Sequence, residues 1–255
     1  MAIGAVLVLA IAVSCTRGAG LGSVGGDLTG VKWSVTSISG TAAPPGFYAT
    51  ATFKDGHVAG VDGCNWYGRD YLSTIDGAFR LGEGSMTAMG CLGAAGRLVD
   101  RFQSALGKVT AYRVQGDVLT LFDKSGDPVL VFRGGAPPPI SGMTWQVYGF
   151  RQGPPDDKLA VEGPGRGGPI TATFEDGRIT GATACGRYGA DFTATATTAH
   201  AGPIDLQRPS CNGAARRMVR AYFSALRTTE SWQFYGPSFQ LLNSSRTISA
   251  NLDPA

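Results

Sequence analysis

Histidine is almost missing from the 255 residues: only His57 and His200 occur. A metal centre would therefore have few histidines to draw on, and little is left for imidazole acid–base chemistry. Cysteine is sparse too. None of Cys15, Cys64, Cys91, Cys185 and Cys211 stands in a C-x-x-C spacing, so a tetrahedral zinc site would need scattered ligands. Charged residues make up 16% of the chain, the formal net charge is +3, and no basic run stands out. The electrostatic footprint of nucleic-acid binding is absent. No apolar run reaches the roughly 20 residues of a comfortable membrane span. The strained serine elbow G-x-S-x-G is missing as well. "GPGRGG" (163–168) fits G-x-G-x-x-G in letters, but it precedes a strand pattern rather than opening a helix, so it reads as a loop. Asp123 and Asp127 flank a turn without the twelve-residue frame of a calcium loop. Glu83 is a lone buried or rim carboxylate without a partner. No cofactor, metal site or catalytic constellation is expected.

What is present points to a folded β protein. Hydrophobic residues form 43% of the chain, enough to bury a core, and 38 glycines suit many tight turns. The chain opens with an uncharged apolar run, Ala2 to Val13, of the length of a secretory signal's central region. The run ends on "AVSC", which resembles the lipobox of bacterial lipoproteins, where cleavage precedes a cysteine that carries lipid. Ala12 stands where that pattern prefers Leu, and no Lys or Arg precedes the run. Residues 1–15 are thus read as signal and lipobox with Cys15 as the lipidation site, and 16–27 as a flexible Gly-rich tether.

The rest of the chain says the same thing twice. "TATFKDGHVAGVDGC" (Thr50 to Cys64) returns as "TATFEDGRITGATAC" (Thr171 to Cys185) with eight identities in fifteen positions. Trp33 and Trp145 are 112 apart, Cys64 and Cys185 are 121 apart, and Cys91 and Cys211 are 120 apart, as are Leu106 and Leu226. Collinear matches at this period mean two copies of one globular domain, 28–134 and 140–253, with the proline-rich 135–139 between them.

Within each copy the local pattern is β. Asp55-Gly56 and Asp176-Gly177 sit between alternating runs and predict hairpins, because both turn residues need positive φ. Asp76-Gly77, Gln115-Gly116-Asp117 and Lys124-Ser125-Gly126 predict further turns. One helix per copy follows the second cysteine. Leu98, Phe102, Ala105 and Leu106 share one face, as do Met218, Tyr222, Ala225 and Leu226, with Arg216, Arg217 and Arg220 elsewhere on the surface. The fold class is mainly β (α+β): two small antiparallel β-barrel-like domains, each plugged or flanked by one amphipathic helix.

The cysteine spacings, 27 in the first copy and 26 in the second, predict the bridges Cys64–Cys91 and Cys185–Cys211. Four cysteines allow three connectivities, and the repeat selects this one. Such bridges persist outside the cytosol. A catalytic role for His57 beside Cys64 would not survive the duplication, since Arg178 replaces it.

Three groups of residues together resemble the META, or HslJ-like, domain family. They are Leu28, Gly30 and Trp33; Phe53, Gly56, Gly60, Gly63, Cys64 and Asn65; and Thr87, Met89 and Cys91. The second copy keeps Ile140, Gly142, Trp145, Phe174, Gly177, Gly181, Cys185 and Cys211, but has Gly186 in place of Asn65 and Gln207 to Ser210 before Cys211. The resemblance implies a small β-barrel-like fold with a helix. It also implies an exported or lipid-anchored protein linked to stress or antibiotic tolerance, without an established enzymatic activity.

"CNWYGRDY" supplies the candidate contact surface: Asn65, Trp66, Tyr67, Arg69 and Tyr71 include the residue types that dominate binding hot spots. The alternative is that Trp66 or Tyr67 packs the barrel mouth and Asn65 bonds a tight turn. Trp33 and Trp145 read as core anchors. The sequence thus predicts a non-catalytic envelope lipoprotein. It would be held to the membrane through Cys15 and would bind an envelope protein or a small apolar ligand. A barrel that carries such a ligand, or a hydrolase using His57 or His200, are the other readings.

Overall fold

The structure is a computed structural model that describes residues 27–91, 93–152, 161–165, 168–207 and 210–255. The signal, Cys15 and most of the tether lie outside the described residues.

The first unit contains β1 (Lys32–Ile38), β2 (Thr41–Ala42), β3 (Thr50–Lys54), β4 (His57–Val61), β5 (Trp66–Ser73), β6 (Phe79–Met86), α1 (Gly93–Leu106), β7 (Ala111–Gln115), β8 (Val118–Phe122) and β9 (Pro128–Gly134). The second contains β10 (Thr144–Arg151), β11 (Val161–Glu162), β12 (Thr171–Glu175), β13 (Arg178–Thr183), β14 (Gly186–Ala194), β15 (Ala199–Ala201), β16 (Asp205–Gln207), α2 (Gly213–Arg227), β17 (Ser231–Tyr235), β18 (Ser238–Leu242) and β19 (Ile248–Pro254).

Each sheet is an antiparallel meander whose first strand also pairs with its last. The orders are β6-β5-β4-β3-β1-β9-β8-β7 and β15-β14-β13-β12-β10-β19-β18-β17. The edge strands meet through one bridge per unit, Ala78 with Ala111 and Thr198 with Ser231, so each sheet curls back on itself. Covering an edge this way removes unpaired N–H and C=O groups that would otherwise invite aggregation.

Local sequence explains the repeated features. Asp55 and Gly56 have φ of 50° and 75°, and Asp176 and Gly177 have 49° and 74°, the double positive φ of a two-residue hairpin turn. The opening motif places a glycine at positive φ (Gly30, Gly142), which folds the chain back over the sheet. The indole N–H of Trp33 then donates to the Leu28 carbonyl at 3.0 Å, and that of Trp145 to the Ile140 carbonyl at 2.9 Å. Both indoles are buried, so this bond satisfies their one polar group. A bulge interrupts β1 between Val35 and Ser37, and another interrupts β10 between Val147 and Gly149.

The helices pack onto the sheets by the faces that sequence assigns them. Phe102, Ala105 and Leu106 are buried, as are Met218, Tyr222, Ala225 and Leu226. Leu98 packs at the core's margin. Asn212 caps α2, its side chain accepting from the Ala215 N–H at 2.9 Å. The barrel interiors are filled by side chains, Phe53, Leu119 and Phe132 in the first, Phe150, Phe239 and Leu241 in the second.

The units also pack against each other. Tyr48, in the loop before β3, joins the second unit's core beside Trp232 and Phe234. The Gly46 N–H donates to the Pro139 carbonyl at 2.8 Å, which ties this loop to the proline-rich connector.

Candidate functional site

The two cysteine pairs are bridged as the spacing predicts: Cys64 with Cys91 and Cys185 with Cys211, at Cα–Cα separations of 6.3 Å and 4.8 Å. The turn before each first cysteine is held by an oxygen two residues earlier. In the first unit Asp62 Oδ1 accepts from the N–H groups of Cys64 (3.0 Å) and Asn65 (2.7 Å), and its Oδ2 accepts from Gln103 of α1 at 2.8 Å. In the second unit Thr183 Oγ1 accepts from the Cys185 N–H at 3.1 Å. Asp62 is fully buried and was not singled out by sequence. Its counterpart is an uncharged threonine, so the repeat gave no signal for it.

The five residues of the candidate surface do not stay together. Trp66 is 51% exposed. Asn65 is buried, and its side-chain oxygen accepts from the Met89 N–H at 2.7 Å and from Thr87 Oγ1 at 3.1 Å. It clamps the segment that carries Cys91 and is not free for a ligand. Tyr67 points into the core, with its hydroxyl donating to the Thr50 carbonyl at 2.7 Å. Tyr71 stacks on Phe79 with ring centroids 5.5 Å apart. The alternation of β5 is the cause: Tyr67 and Tyr71 lie on the side turned to the core, whereas Trp66 lies on the other.

Arg69 and Tyr71 do meet one cleft, of about 940 Å³, lined also by Asp55, Asp70, Arg80 and Glu83. Glu83 is exposed on its rim rather than buried. Desolvation pushes the Tyr71 phenol up, with Tyr112, Asp27 and Asp55 adding to the rise. The cleft offers both signs of charge.

His57 is accounted for on the surface. Its Nδ1 lies 3.1 Å from Asp70 Oδ1 across the β4–β5 pair, and Arg178 makes the matching pair with Asp191 at 2.5 Å. The shared element is a cross-strand polar pair with an aspartate, which the substitution of arginine for histidine preserves. His200 is exposed on β15. Among the described residues no group of three His, Cys, Asp or Glu side chains converges as a metal site requires.

The Tyr67 contact recurs. Tyr188 donates to the Thr171 carbonyl at 2.9 Å and lies 2.7 Å from the Tyr222 hydroxyl, so Tyr222 donates to Tyr188. Burial raises the pKa of Tyr67, Tyr188 and Tyr222, and the Asp62 carboxylate adds to the rise at Tyr67. At the contact between units, the Lys32 ammonium lies 5.6 Å from the Tyr48 ring centre and 5.4 Å from that of Trp232. Lys32 is exposed over the residue as a whole, but desolvation around its ammonium lowers its pKa, and Arg246 adds to this.

A duplicated meander barrel, clasped once per copy by a bridge from the post-hairpin cysteine to the segment before the helix, defines the class of protein. The META domain family matches residues 26–135 and again 138–252, and the chain belongs to that family. A solved NMR structure of a protein from Burkholderia xenovorans aligns with a TM-score of 0.35 and 24% identity, over 42% of this chain and 83% of that one. No curated protein matches the chain. No helix among the described residues is long and apolar enough to cross a membrane.

Proposed function

We propose that the chain is an exported cell-envelope lipoprotein, held at the membrane through Cys15, whose two META units act by binding and not by catalysis. The observation that carries this reading is what the two copies share. Both keep a disulfide, a capped cysteine turn, a tyrosine bonded to a threonine carbonyl and a cross-strand polar pair with an aspartate. Each of these holds the fold; none pairs a nucleophile with a base. Two disulfides fit an oxidising compartment outside the cytoplasm. The role that follows is support of envelope integrity, stress resistance or antibiotic tolerance through contact with an envelope partner.

Intact-mass analysis of membrane-extracted protein, with and without reductant, tests the reading. The expected result is a chain that begins at Cys15 with two or three acyl chains added and gains about four mass units on reduction, two hydrogens per bridge. A chain that keeps residues 1–14 and carries no added mass removes the anchor.

A further inference from the structure

The two helices have diverged in one respect that packing does not explain. In α1 the outward residues include Arg97, Asp100 and Arg101. In α2 the position matching Asp100 is Arg220, that matching Gly96 is Arg216, and that matching Gly107 is Arg227, with Arg217 kept from Arg97. The helix therefore carries four arginines and no acidic residue. At the α-helical step of about 100° per residue, Arg216, Arg220 and Arg227 fall within an arc of about 40°. That arc lies opposite the core-facing Met218, Tyr222 and Ala225, and all four arginines are exposed.

This arrangement costs the helix stability. Arg216 and Arg217 sit near the N-terminal end, where the macrodipole disfavours cations, and Arg216 and Arg220 are like charges one turn apart. Among the described residues neither of the ion pairs Arg133–Asp117 and Arg178–Asp191 involves α2, nor does the His57–Asp70 contact. Among the same residues Arg216 reaches the Cys211 carbonyl, at 3.5 Å. Beside the stripe lies a cleft of about 330 Å³. It is floored by Leu206, Val219, Phe223 and the Cys185–Cys211 bridge and rimmed by Arg216 and Arg220.

We propose that this face of α2 is a docking surface for an anionic bilayer. The arginines would meet phospholipid phosphates, and the apolar cleft would receive the glycerol and first methylenes of one lipid. Charge complementarity selects the partner, and the cleft distinguishes a lipid interface from a purely polar anion. Nearness of a membrane is what this takes from the function proposed above. Fully extended, residues 16–27 span at most about 40 Å, so an anchor at Cys15 would hold the units within reach of the surface. Tethering raises the effective concentration enough for a weak contact to orient the protein.

The test uses the full chain with Cys15→Ser throughout, so that its outcome does not depend on lipidation. Ser224→Cys, on the exposed side of α2, carries an environment-sensitive dye. Vesicles of phosphatidylcholine are compared with vesicles containing equal phosphatidylglycerol. The expected result is a blue shift of the dye only with phosphatidylglycerol, reversed by 0.5 M salt, with retained near-ultraviolet circular dichroism. Each arginine near a bilayer contributes about fivefold in affinity, so Arg216→Gln with Arg217→Gln and Arg220→Gln should weaken binding on the order of 100-fold. Arg97→Gln with Arg101→Gln on α1 should leave it unchanged. Equal dye emission in both vesicles, or equal loss from the α1 and α2 variants, overturns the proposal. Absence of lipid in the intact-mass experiment would remove the anchor and leave this result standing.

Discussion

Tyr48 of the first META unit stacks on Phe234 of the second, with ring centroids 4.5 Å apart and planes inclined by 21°. Trp232 closes on the same ring edge-on at 5.3 Å. The loop that carries Tyr48 is positioned by its own unit, since Phe47 packs in the first core. One residue on, the chain enters the second core. The position that corresponds to Tyr48 in the second copy is Pro169, so the contact joins the copies in one direction only.

Replacing Tyr48 by alanine should therefore uncouple the units. Truncating a buried aromatic costs about 3 kcal/mol or more, here spent at the contact and not inside the first barrel. The expected outcome in calorimetry is one melting transition for the native chain and two for Tyr48→Ala. A single transition at an unchanged midpoint would show that the contact contributes nothing to cooperativity.

Much of this architecture was legible in the sequence because the chain states it twice. A cysteine pair at nearly equal spacing in two copies has one symmetric solution, and both bridges follow it. The Asp-Gly turns were legible because few residues accept two consecutive positive φ angles. The Tyr48 contact was not, because no counterpart repeats it and periodicity reports only contacts within a copy. The inward turn of Tyr67 and Tyr71 did leave a signal. Their counterparts Tyr188 and Phe192 remain aromatic while Trp66 becomes Arg187, which marks the buried side of the strand. Asp62 left none, since a carboxylate and a threonine hydroxyl do the same job at the cysteine turn.

The second glycine of the hairpin motif is required by close approach. A methyl group at Gly60 would land on the carbonyl oxygen of Thr50, and one at Gly181 on that of Thr171. Those carbonyls are the acceptors of Tyr67 and Tyr188, so the strands cannot separate without breaking a buried bond. Gly60→Ala and Gly181→Ala should each destabilise by about 3 kcal/mol, in the range of overpacked cores. Gly90→Ala, with open space around it and no positive φ, should stay within about 0.5 kcal/mol. Denaturant midpoints of the three variants check the ranking.

Exchange between the copies at the residue after the cysteine should harm both. Asn65 accepts two hydrogen bonds from the Thr87–Met89 segment, and Asn65→Gly leaves the Met89 N–H without its acceptor, at a cost of about 1–2 kcal/mol. Gly186 has φ of 134°, a region that other residues enter at about 1–3 kcal/mol, so Gly186→Asn gains no clamp to offset the strain. The expected outcome is loss of stability from both substitutions, read by urea unfolding with the disulfides intact. A neutral Gly186→Asn would mean that the second copy can rebuild the clamp.

The buried phenols set an alkaline limit on the fold. Burial raises the pKa of Tyr67, Tyr188 and Tyr222 above 10.0, the ordinary value they regain on unfolding. A folded-state pKa above the unfolded one means that the protein binds the proton more tightly when folded. The associated stability is complete below pH 10 and is lost as pH rises from there toward the folded-state values. Absorbance at the phenolate band should therefore rise in a cooperative step above pH 10 that coincides with loss of near-ultraviolet circular dichroism. Phe192 and Phe102 already stand where Tyr71 and Tyr222 stand in the other copy, so the barrel accepts a ring without a hydroxyl at such positions. Tyr222→Phe should accordingly fold, keep the Tyr188 bond to Thr171, and move the cooperative step to higher pH by removing one ionisation. If every phenol ionises in a single phase while the dichroism persists, the inner hydroxyls are in contact with solvent and the closed packing of both barrels is wrong.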